Sequence, residues 1–351
     1  MVSTAAAKLP LGPVMCDVAG FVMSDAERET LRHPLVGGVI LFARNYESPE
    51  QLSALCADIH ALRSPALIIA VDHEGGRVQR FRSGFTRLPA MRKVGELWAG
   101  QGNAHNTAAK AAAQDVGFVL AAELLAHGVD LSFTPVLDLD FGQSAVVGDR
   151  SFHRDPAIAA ELAHGLMLGL REAGMGAVGK HFPGHGFAEA DSHVAIPVDP
   201  RDFDAIWADD IAPYRHDLKK ILSGVMPAHV IYENVDPNPA GFSRFWLQDV
   251  LRGRLAYDGV IFSDDLTMEG ATVVGDIVAR ATAAHGAGCD MVLVCNRPDL
   301  TNDLLSRWQP DVSARSAERV LALTPAGRPG PEALSIDTRF QQAWHTVTQL
   351  A

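Results

Sequence analysis

Eight short apolar segments recur along the 351-residue chain with amphipathic stretches between them, and this alternation restricts the fold more than any other feature. The segments are nearly continuous in apolar residues, which is typical of parallel strands buried on both faces. We predict strands at residues 12–18, 38–42, 66–71, 131–137, 177–182, 224–230, 259–263 and 290–294.

The stretches between these strands have the apolar spacing of helices. We predict helices at residues 48–63, 103–127, 155–173, 243–255 and 275–286. Ser48 and Asp155 each precede a proline and are suitable N-caps, and Gly128 and Gly174 stand where two of the helices should end.

Strands that alternate with helices over some 300 residues predict a single closed (β/α)₈ barrel of the TIM type. The main alternative is an open, doubly wound sheet, which usually carries a glycine-rich phosphate loop after its first strand. Here CDVAGFVMSD follows that strand instead. With no linker in the sequence, we expect one domain over residues 1–351, with further helices after Asn296 and a surface loop at 325–331.

Composition excludes several classes of partner. The formal net charge is −12, from 42 acidic and 30 basic residues, so a nucleic-acid partner is not expected. No apolar run is long enough to cross a membrane, and the first residues do not resemble a signal peptide. Four cysteines without a C-x-x-C pair fit reduced thiols in the cytoplasm. We expect a cytoplasmic monomer without metal or cofactor.

Polar residues concentrate where the predicted strands end, which is where barrels of this kind place their catalytic groups. Each residue taken alone has an equally good explanation as a structural hydrogen bond or a helix cap. The residues concerned are Asp72, His73, Glu74, Asp138, Asp140, Lys180, His181, His229, Asp264 and Asp265.

The most informative segment is KHFPGHGFAEADSHVAIPVD, at residues 180–199. Lys180 and His181 end an apolar strand, where charge is costly without a partner or ligand. In the following loop, Asp191 stands two residues before His193, and a carboxylate there can accept an imidazole N–H and fix its tautomer. Such a dyad suits general acid–base catalysis.

Three further segments add candidate residues. GVIFSDDLTMEGA places Asp264 at a strand end, where it can act as a nucleophile, a metal ligand or a charge stabiliser, unless it merely caps the next turn. AVDHEGGRVQRF offers Asp72 to accept from sugar hydroxyls and Arg80 as a forked donor. VVGDRSFHRDP offers Arg150 and Arg154 in a loop.

Together these segments resemble the family 3 glycoside hydrolases, and within them the single-domain bacterial β-N-acetylhexosaminidases of peptidoglycan recycling. The resemblance runs from the first strand to the last through V-D-x-E-G-G-R-V-Q-R-F, G-D-R-S-F, K-H-F-P-G-H-G with D-S-H, and I-F-S-D-D-L-x-M-E-G-A. The one departure is His73, where glutamine is the commoner residue. K-H-F-P-G-H-G followed by D-S-H is the most specific of these motifs.

The resemblance implies a role for each matching residue. Asp264 matches the nucleophile, His193 the general acid/base and Asp191 its orienting partner. Five residues match those that bind the sugar: Asp72, Arg80, Arg150, Lys180 and His181. The implied reaction removes N-acetylglucosamine (GlcNAc) from the non-reducing end of small muropeptides that carry 1,6-anhydro-N-acetylmuramic acid, with or without peptide.

An imidazole acid/base is unusual, because most retaining glycosidases use two carboxylates. A neutral imidazole repels anionic acceptors less than a carboxylate does, so phosphorolysis is a further hypothesis. Two alternatives from other classes remain. One is a metal-dependent amidohydrolase, which the 14 histidines suggest but which lacks an H-x-H after the first strand. The other is a non-catalytic sugar-binding barrel.

Overall fold

Eight parallel strands form the centre of the protein in a computed structural model that describes residues 7–98, 103–188, 197–215 and 218–351. In chain order they are β1 Val14–Cys16, β2 Val36–Leu41, β3 Ile68–Val71, β4 Leu131–Ser132, β5 Ala177–Phe182, β6 Leu222–Pro227, β7 Val260–Asp265 and β8 Met291–Leu293. Each lies within or beside one of the eight predicted segments, so the predicted number, order and direction of the strands are confirmed.

The sheet is closed. Strand β1 pairs with both β2 and β8, and pairing continues around to β4 on one side and β5 on the other. Parallel bridges Leu131–Gly176 and Val136–Lys180 then join β4 to β5. Because no edge remains open, the predicted (β/α)₈ barrel is confirmed and the open doubly wound sheet is wrong.

Helices surround the barrel. They are α1 Asp25–Leu31, α2 Pro49–His60, α3 Met91–Glu96, α4 Asn103–Ala126, α5 Pro156–Ala173, α6 Phe203–Ala208, α7 Leu218–Ile221, α8 Ile277–Ala287, α9 Pro298–Arg307, α10 Ala314–Leu321, α11 Pro331–Ile336 and α12 Thr338–Leu350. A π-helix, Phe245–Arg254, occupies the position between β6 and β7 where an ordinary helix was predicted. None of the described helices is both long and apolar enough to span a membrane.

Local sequence signals set the ends of these helices. The Ser48 hydroxyl accepts from Gln51 N–H at 3.2 Å, and Asp155 accepts from Ala157 N–H at 2.8 Å, so both predicted N-caps are confirmed. Gly174 ends α5 with φ of +98°, a left-handed conformation that glycine adopts without steric cost.

The structure also contains smaller elements that were not predicted from the sequence. An antiparallel hairpin pairs His73–Gly75 with Val78–Gln79 directly after β3. Two short parallel pairs join Ala7–Lys8 to Arg63–Ser64 and Val198–Asp199 to Ile231–Tyr232. Five 3₁₀ turns lie in the described connections, at Ala43–Asn45, Gly148–Arg150, Ala212–Tyr214, Ala240–Phe242 and Glu269–Val274.

The carboxyl-terminal helices pack against α4 and α5. Ala343 and Val347 of α12 are fully buried in the hydrophobic core, and Arg339 pairs with Asp115 of α4 at 2.6 Å and with Glu172 of α5 at 2.8 Å. The predicted helices after Asn296 and the loop before α11 are therefore confirmed.

The upper end of the barrel interior is an apolar layer built by alternate strands. Ile40 of β2, Phe133 just after β4, Met226 of β6 and Leu293 of β8 all face the same cavity. Layers contributed by every second strand are the normal packing of such barrels. This layer is the floor on which the polar residues described next are placed.

Candidate active site

A cavity of about 490 Å³ opens above this floor, at the carboxyl ends of the strands. Its polar residues come mainly from the odd-numbered strands, with Asp72 after β3, Lys180 in β5 and Asp264 in β7. The cavity is lined by six of the predicted site residues: Asp72, Arg80, Arg150, Lys180, His181 and Asp264. The other two, Asp191 and His193, lie outside the described residues.

Lys180 lies at the centre of a buried ionic cluster. Its Nζ is 2.6 Å from Asp72 Oδ1 and 2.6 Å from Glu74 Oε1, and its side chain is only 3% exposed. Burial alone would lower the pKa of Lys180, but the two carboxylates raise it above its usual value. Lys180 is therefore a fixed cation that holds Asp72 at the cavity wall.

Glu74 joins Lys180 to Arg150, and its role was missed from the sequence. It accepts two hydrogen bonds from Arg150, from Nε at 2.8 Å and from Nη2 at 2.7 Å. Burial alone would raise the pKa of Glu74, but Arg150 and Lys180 hold it far below its usual range. A carboxylate fixed in this way cannot donate a proton near neutral pH, so Glu74 orients its neighbours and does not serve as a catalytic acid.

The hairpin after β3 brings Asp72 and Glu74 to this cluster. Gly75 and Gly76 turn the chain with φ of +107° and +54°, and a Cβ on Gly75 would lie 2.4 Å from the carbonyl oxygen of Pro89. The Gln79 amide holds the second strand by donating to Thr86 O at 2.8 Å and accepting from Leu88 N–H at 3.0 Å. The two glycines are required because only they tolerate this backbone and this close approach.

His181 is oriented by Asp138, which lies after β4. Burial alone would raise the pKa of Asp138, but His181 and His185 keep it below its usual value, so it is a carboxylate. It accepts from His181 Nδ1 at 2.7 Å and from the backbone N–H groups of His181 and His185 at 3.1 and 2.7 Å. With Nδ1 protonated, Nε2 is the ring nitrogen of His181 that can meet a ligand.

The two carboxylates that end β7 differ in the hydrogen bonds that they accept. Asp265 accepts from Thr267 N–H at 2.9 Å, from the Thr267 hydroxyl at 2.8 Å and from Cys295 N–H at 3.2 Å. Burial raises the pKa of Asp265 to about 6. Asp264 accepts from the N–H of Asp265 at 2.8 Å, and both aspartates line the cavity. Both carboxylate oxygens of Asp265 are engaged in capping the turn, so Asp264 is the better candidate for the nucleophile.

Four other strand-end or loop candidates are placed outside the cavity lining. The His73 ring is buried between Phe81 and Phe85, with centroids 5.7 and 5.8 Å away, and burial lowers its pKa to about 3. His229 stacks on a phenylalanine, Asp140 pairs with an arginine of α3, and Arg154 lies 3.7 Å from an aspartate of the α6 region. All four residues therefore have contacts within the fold, which agrees with a structural role and not with a role in the cavity.

A metal site is what the alternative of a metal-dependent amidohydrolase would need. Over the ranges that the structure describes, no group of three or more His, Cys, Asp and Glu side chains is arranged to hold a metal ion.

Comparison with known proteins gives a consistent set of relatives. Residues 11–317 match the model of the glycosyl hydrolase family 3 N terminal domain. A β-hexosaminidase of Aromatoleum aromaticum is 68% identical over 97% of this chain and 95% of its own, and one of Bordetella avium is 59% identical over 97% of each. The crystal structure of native NagZ from Neisseria gonorrhoeae superposes with a TM-score of 0.93 at 50% identity, covering 99% of both chains. The same gonococcal protein has been solved in complex with N-trifluoroacetyl-D-glucosamine, with a TM-score of 0.93, 51% identity and 99% of both chains covered.

Proposed function

The chain belongs to glycosyl hydrolase family 3 and is a glycoside hydrolase, and we propose that it is a retaining exo-β-N-acetylglucosaminidase. The observation that carries this proposal is a cavity of about 490 Å³ that is lined by fixed hydrogen-bond donors and acceptors and by the carboxylate of Asp264. Relatives named β-hexosaminidase, and a relative that binds an N-acylated glucosamine, support the N-acetyl preference.

In the proposed reaction Asp264 attacks C1 of the sugar and forms a covalent glycosyl ester, while the leaving-group oxygen takes a proton from His193. Asp191 accepts an N–H of His193 and keeps its ring in the required tautomer. A water molecule then gives its proton to His193 and breaks the ester, so that the sugar leaves with its original configuration. Both residues of this dyad are assigned from the family motif D-S-H.

The ionic cluster has the binding role in this scheme. Asp72 is held to accept from sugar hydroxyls, and Arg80, Arg150, Lys180 and His181 supply donors around it. Each of these side chains already has a partner within the protein: Asp72 pairs with Lys180 and Arg80, Glu74 with Arg150, and Asp138 with His181. They are therefore fixed before the sugar arrives, and little rotamer entropy is lost on binding.

We further propose that the natural substrates are peptidoglycan fragments with a terminal GlcNAc on 1,6-anhydro-N-acetylmuramic acid, processed in the cytoplasm by a monomer that is one domain over residues 1–351. All four cysteines are buried and unpaired, which fits a reducing compartment. Cell fractionation and light scattering of the purified protein test the location and the monomeric state.

Release of p-nitrophenol from the β-GlcNAc and β-glucose glycosides tests the activity. We expect turnover of the first and little of the second. If neither glycoside released p-nitrophenol, the proposed exo-glycosidase activity would be refuted. If both released it at the same rate, the preference for the N-acetyl group would be refuted.

His193→Ala tests the proposed acid. Poor leaving groups need protonation and activated aryl groups do not, so the variant should lose far more activity on a disaccharide than on the nitrophenyl glycoside. The matched control is His345→Ala, a change at an exposed histidine of α12, which should leave both activities unchanged. Equal losses on both substrates in His193→Ala would contradict an acid role.

A further inference from the structure

Arg201 lies where the two ends of the segment that carries the proposed dyad come together. Asp191 and His193 lie between Phe187 and Asp199 in the sequence, and His193 is six residues from each. The guanidinium carbon of Arg201 is 4.2 Å from the centre of the Phe187 ring, and its Nη2 is 2.6 Å from Asp199 Oδ2. Residues that precede and follow the dyad therefore contact one and the same side chain.

The side chain of Arg201 is held firmly in this position. Its Nη1 lies 2.7 Å from Asp210 Oδ2, so one guanidinium pairs with two carboxylates, and the Asp199 and Asp210 side chains are only 1% and 0% exposed. The guanidinium carbon is also 4.7 Å from the centre of the Phe141 ring, which packs edge-to-face on Phe187 at 5.4 Å. Arginine suits such a site, because its planar group pairs with carboxylates at its edge and stacks on rings with its face.

Tyr232 connects the same two ends by a second route. Its hydroxyl donates to the carbonyl oxygen of Gly184 at 2.8 Å, in the turn before Phe187. Its backbone belongs to the short parallel pair with Val198–Asp199. Asp210 also contacts the turn, since a Cβ on Gly184 would lie 2.4 Å from its Oδ1. Both ends are therefore attached to the same buried side chains.

These contacts lie apart from the sugar-binding residues. Arg201 is not one of the described residues that line the active-site cavity, so an effect on the reaction has to pass through the residues that it holds. A general acid accelerates a reaction by about 10²–10⁴-fold. A displacement of about 1 Å can remove about 10²-fold of such an effect. The attachment of both ends is therefore expected to matter for the rate.

We propose that Arg201 is a positioning residue for the acid/base dyad. By joining Phe187 to Asp199 it fixes both ends of the segment that presents His193 to the glycosidic oxygen. This inference rests on the proposed function, in which His193 donates the proton to the leaving group. Because the sugar-binding cluster is built separately around Lys180, Arg201 acts on proton transfer and not on the affinity for GlcNAc.

Arg201→Ala tests the proposal. It should lower kcat/KM for N,N′-diacetylchitobiose about 10–100-fold, because the leaving group is protonated less effectively. The nitrophenyl glycoside needs little protonation, so its kcat/KM should fall less than about threefold, and the inhibition constant of free GlcNAc should change less than about twofold. Arg201→Lys keeps the charge and should recover part of the loss, although a lysine cannot pair with both carboxylates and stack on Phe187 at once.

Phe187→Leu provides a second variant in case Arg201→Ala does not fold. It removes only the half-buried ring on which the guanidinium stacks. Its kcat/KM for the disaccharide should fall by about threefold or more, and that for the nitrophenyl glycoside should not fall. If Arg201→Ala does not fold, a wild-type kcat/KM of Phe187→Leu for the disaccharide refutes the proposal.

The matched control is Arg339→Ala. Arg339 also pairs with two carboxylates, and its guanidinium carbon is 4.6 Å from the centre of a phenylalanine ring, but it joins α12 to α4 and α5. This variant should lower the melting temperature and leave both activities unchanged. It therefore separates a general loss of stability from a loss of positioning.

A double variant decides whether Arg201 acts through His193. Adding Arg201→Ala to His193→Ala should change kcat/KM for the disaccharide by less than about twofold, because the dyad is already lost. Multiplied losses in the double variant, equal losses of Arg201→Ala on both substrates, or a parallel loss of affinity for GlcNAc would each refute the positioning role. A wild-type enzyme that is inactive on both substrates, or equal losses in His193→Ala, would instead refute the proposed function and this inference with it.

Discussion

Replacing Glu74 with glutamine is the sharpest test of how the active site is held together. In the native protein Glu74 accepts three hydrogen bonds, two at Oε1 and one at Oε2, all from Arg150 and Lys180. A glutamine side chain has nearly the same shape but only one acceptor oxygen. Whichever way the amide is turned, its NH₂ group faces at least one buried cationic donor.

The size of the effect follows from the burial of these groups. Glu74 and Lys180 are each 3% exposed and Arg150 is 11% exposed, so water cannot replace the lost carboxylate. Removing one partner of a buried ion pair costs about 3–5 kcal/mol. Because Asp72 still compensates Lys180, we expect the lower end, a loss of about 3 kcal/mol in the free energy of unfolding.

Urea denaturation at pH 7 measures this loss. The matched control is Glu96→Gln, the same chemical change at a carboxylate that is 56% exposed and 3.3 Å from Lys93, where the cost should be at most about 1 kcal/mol. Glu74→Gln should also raise KM for the nitrophenyl glycoside, since Arg150 and Lys180 are no longer held in place. Losses of the same size in the two variants would refute the view that the cluster is tied together by Glu74.

The pH dependence of the loss provides a second check. The folded pKa of Glu74 lies below its ordinary value of 4.5, so the ionised form stabilises the fold above that pH. The difference between wild type and Glu74→Gln should therefore be complete at neutral pH and shrink as the pH falls below 4.5. A difference that stays constant down to pH values near 3 would show that the loss is not electrostatic.

Two further substitutions have clear outcomes. Asp264→Asn should reduce kcat by about 10³-fold or more, because the proposed nucleophile is lost. Its control, Asp265→Asn, should retain most of the activity. If Asp265→Asn lost more activity than Asp264→Asn, the two assignments would have to be exchanged. Gly184→Ala should lower the melting temperature, because a Cβ there would lie 2.4 Å from Asp210 Oδ1 and overpacking costs about 1–3 kcal/mol. Its control is Gly286→Ala, in α8 with open space around it, and equal shifts in the two would contradict the steric argument.

The barrel was predictable from the sequence because each buried parallel strand is marked by its own few apolar residues. Since strand ends meet at one face of a barrel, Asp72, Lys180 and Asp264 could be placed together although they are far apart in the chain. The ends of the strands and the N-caps are local signals, and the structure confirms Ser48 and Asp155 among them.

What the sequence could not show depends on contacts between distant residues. The role of Glu74 arises from a hairpin of very short strands that brings it to Arg150 and Lys180, and nothing in VDHEGGRVQRF separates an orienting carboxylate from a catalytic one. The different roles of Asp264 and Asp265 likewise depend on contacts of Asp265 with Thr267 and with the backbone N–H of Cys295, just after β8. The π-helix was predicted as a helix, since its apolar spacing does not distinguish the two types.

The floor of the active site has a consequence for how the specificity of this enzyme can change. Phe133 faces the substrate cavity and also packs edge-to-face on Phe262 at 5.2 Å, inside the barrel. A smaller residue at this position would deepen the cavity for a bulkier sugar, but it would also leave a void in the core at a cost of about 3–5 kcal/mol. Variation that enlarges the binding site from below is therefore coupled to loss of stability, whereas variation around the rim is not. New specificities should arise first in the loops above the strands, with the floor left unchanged.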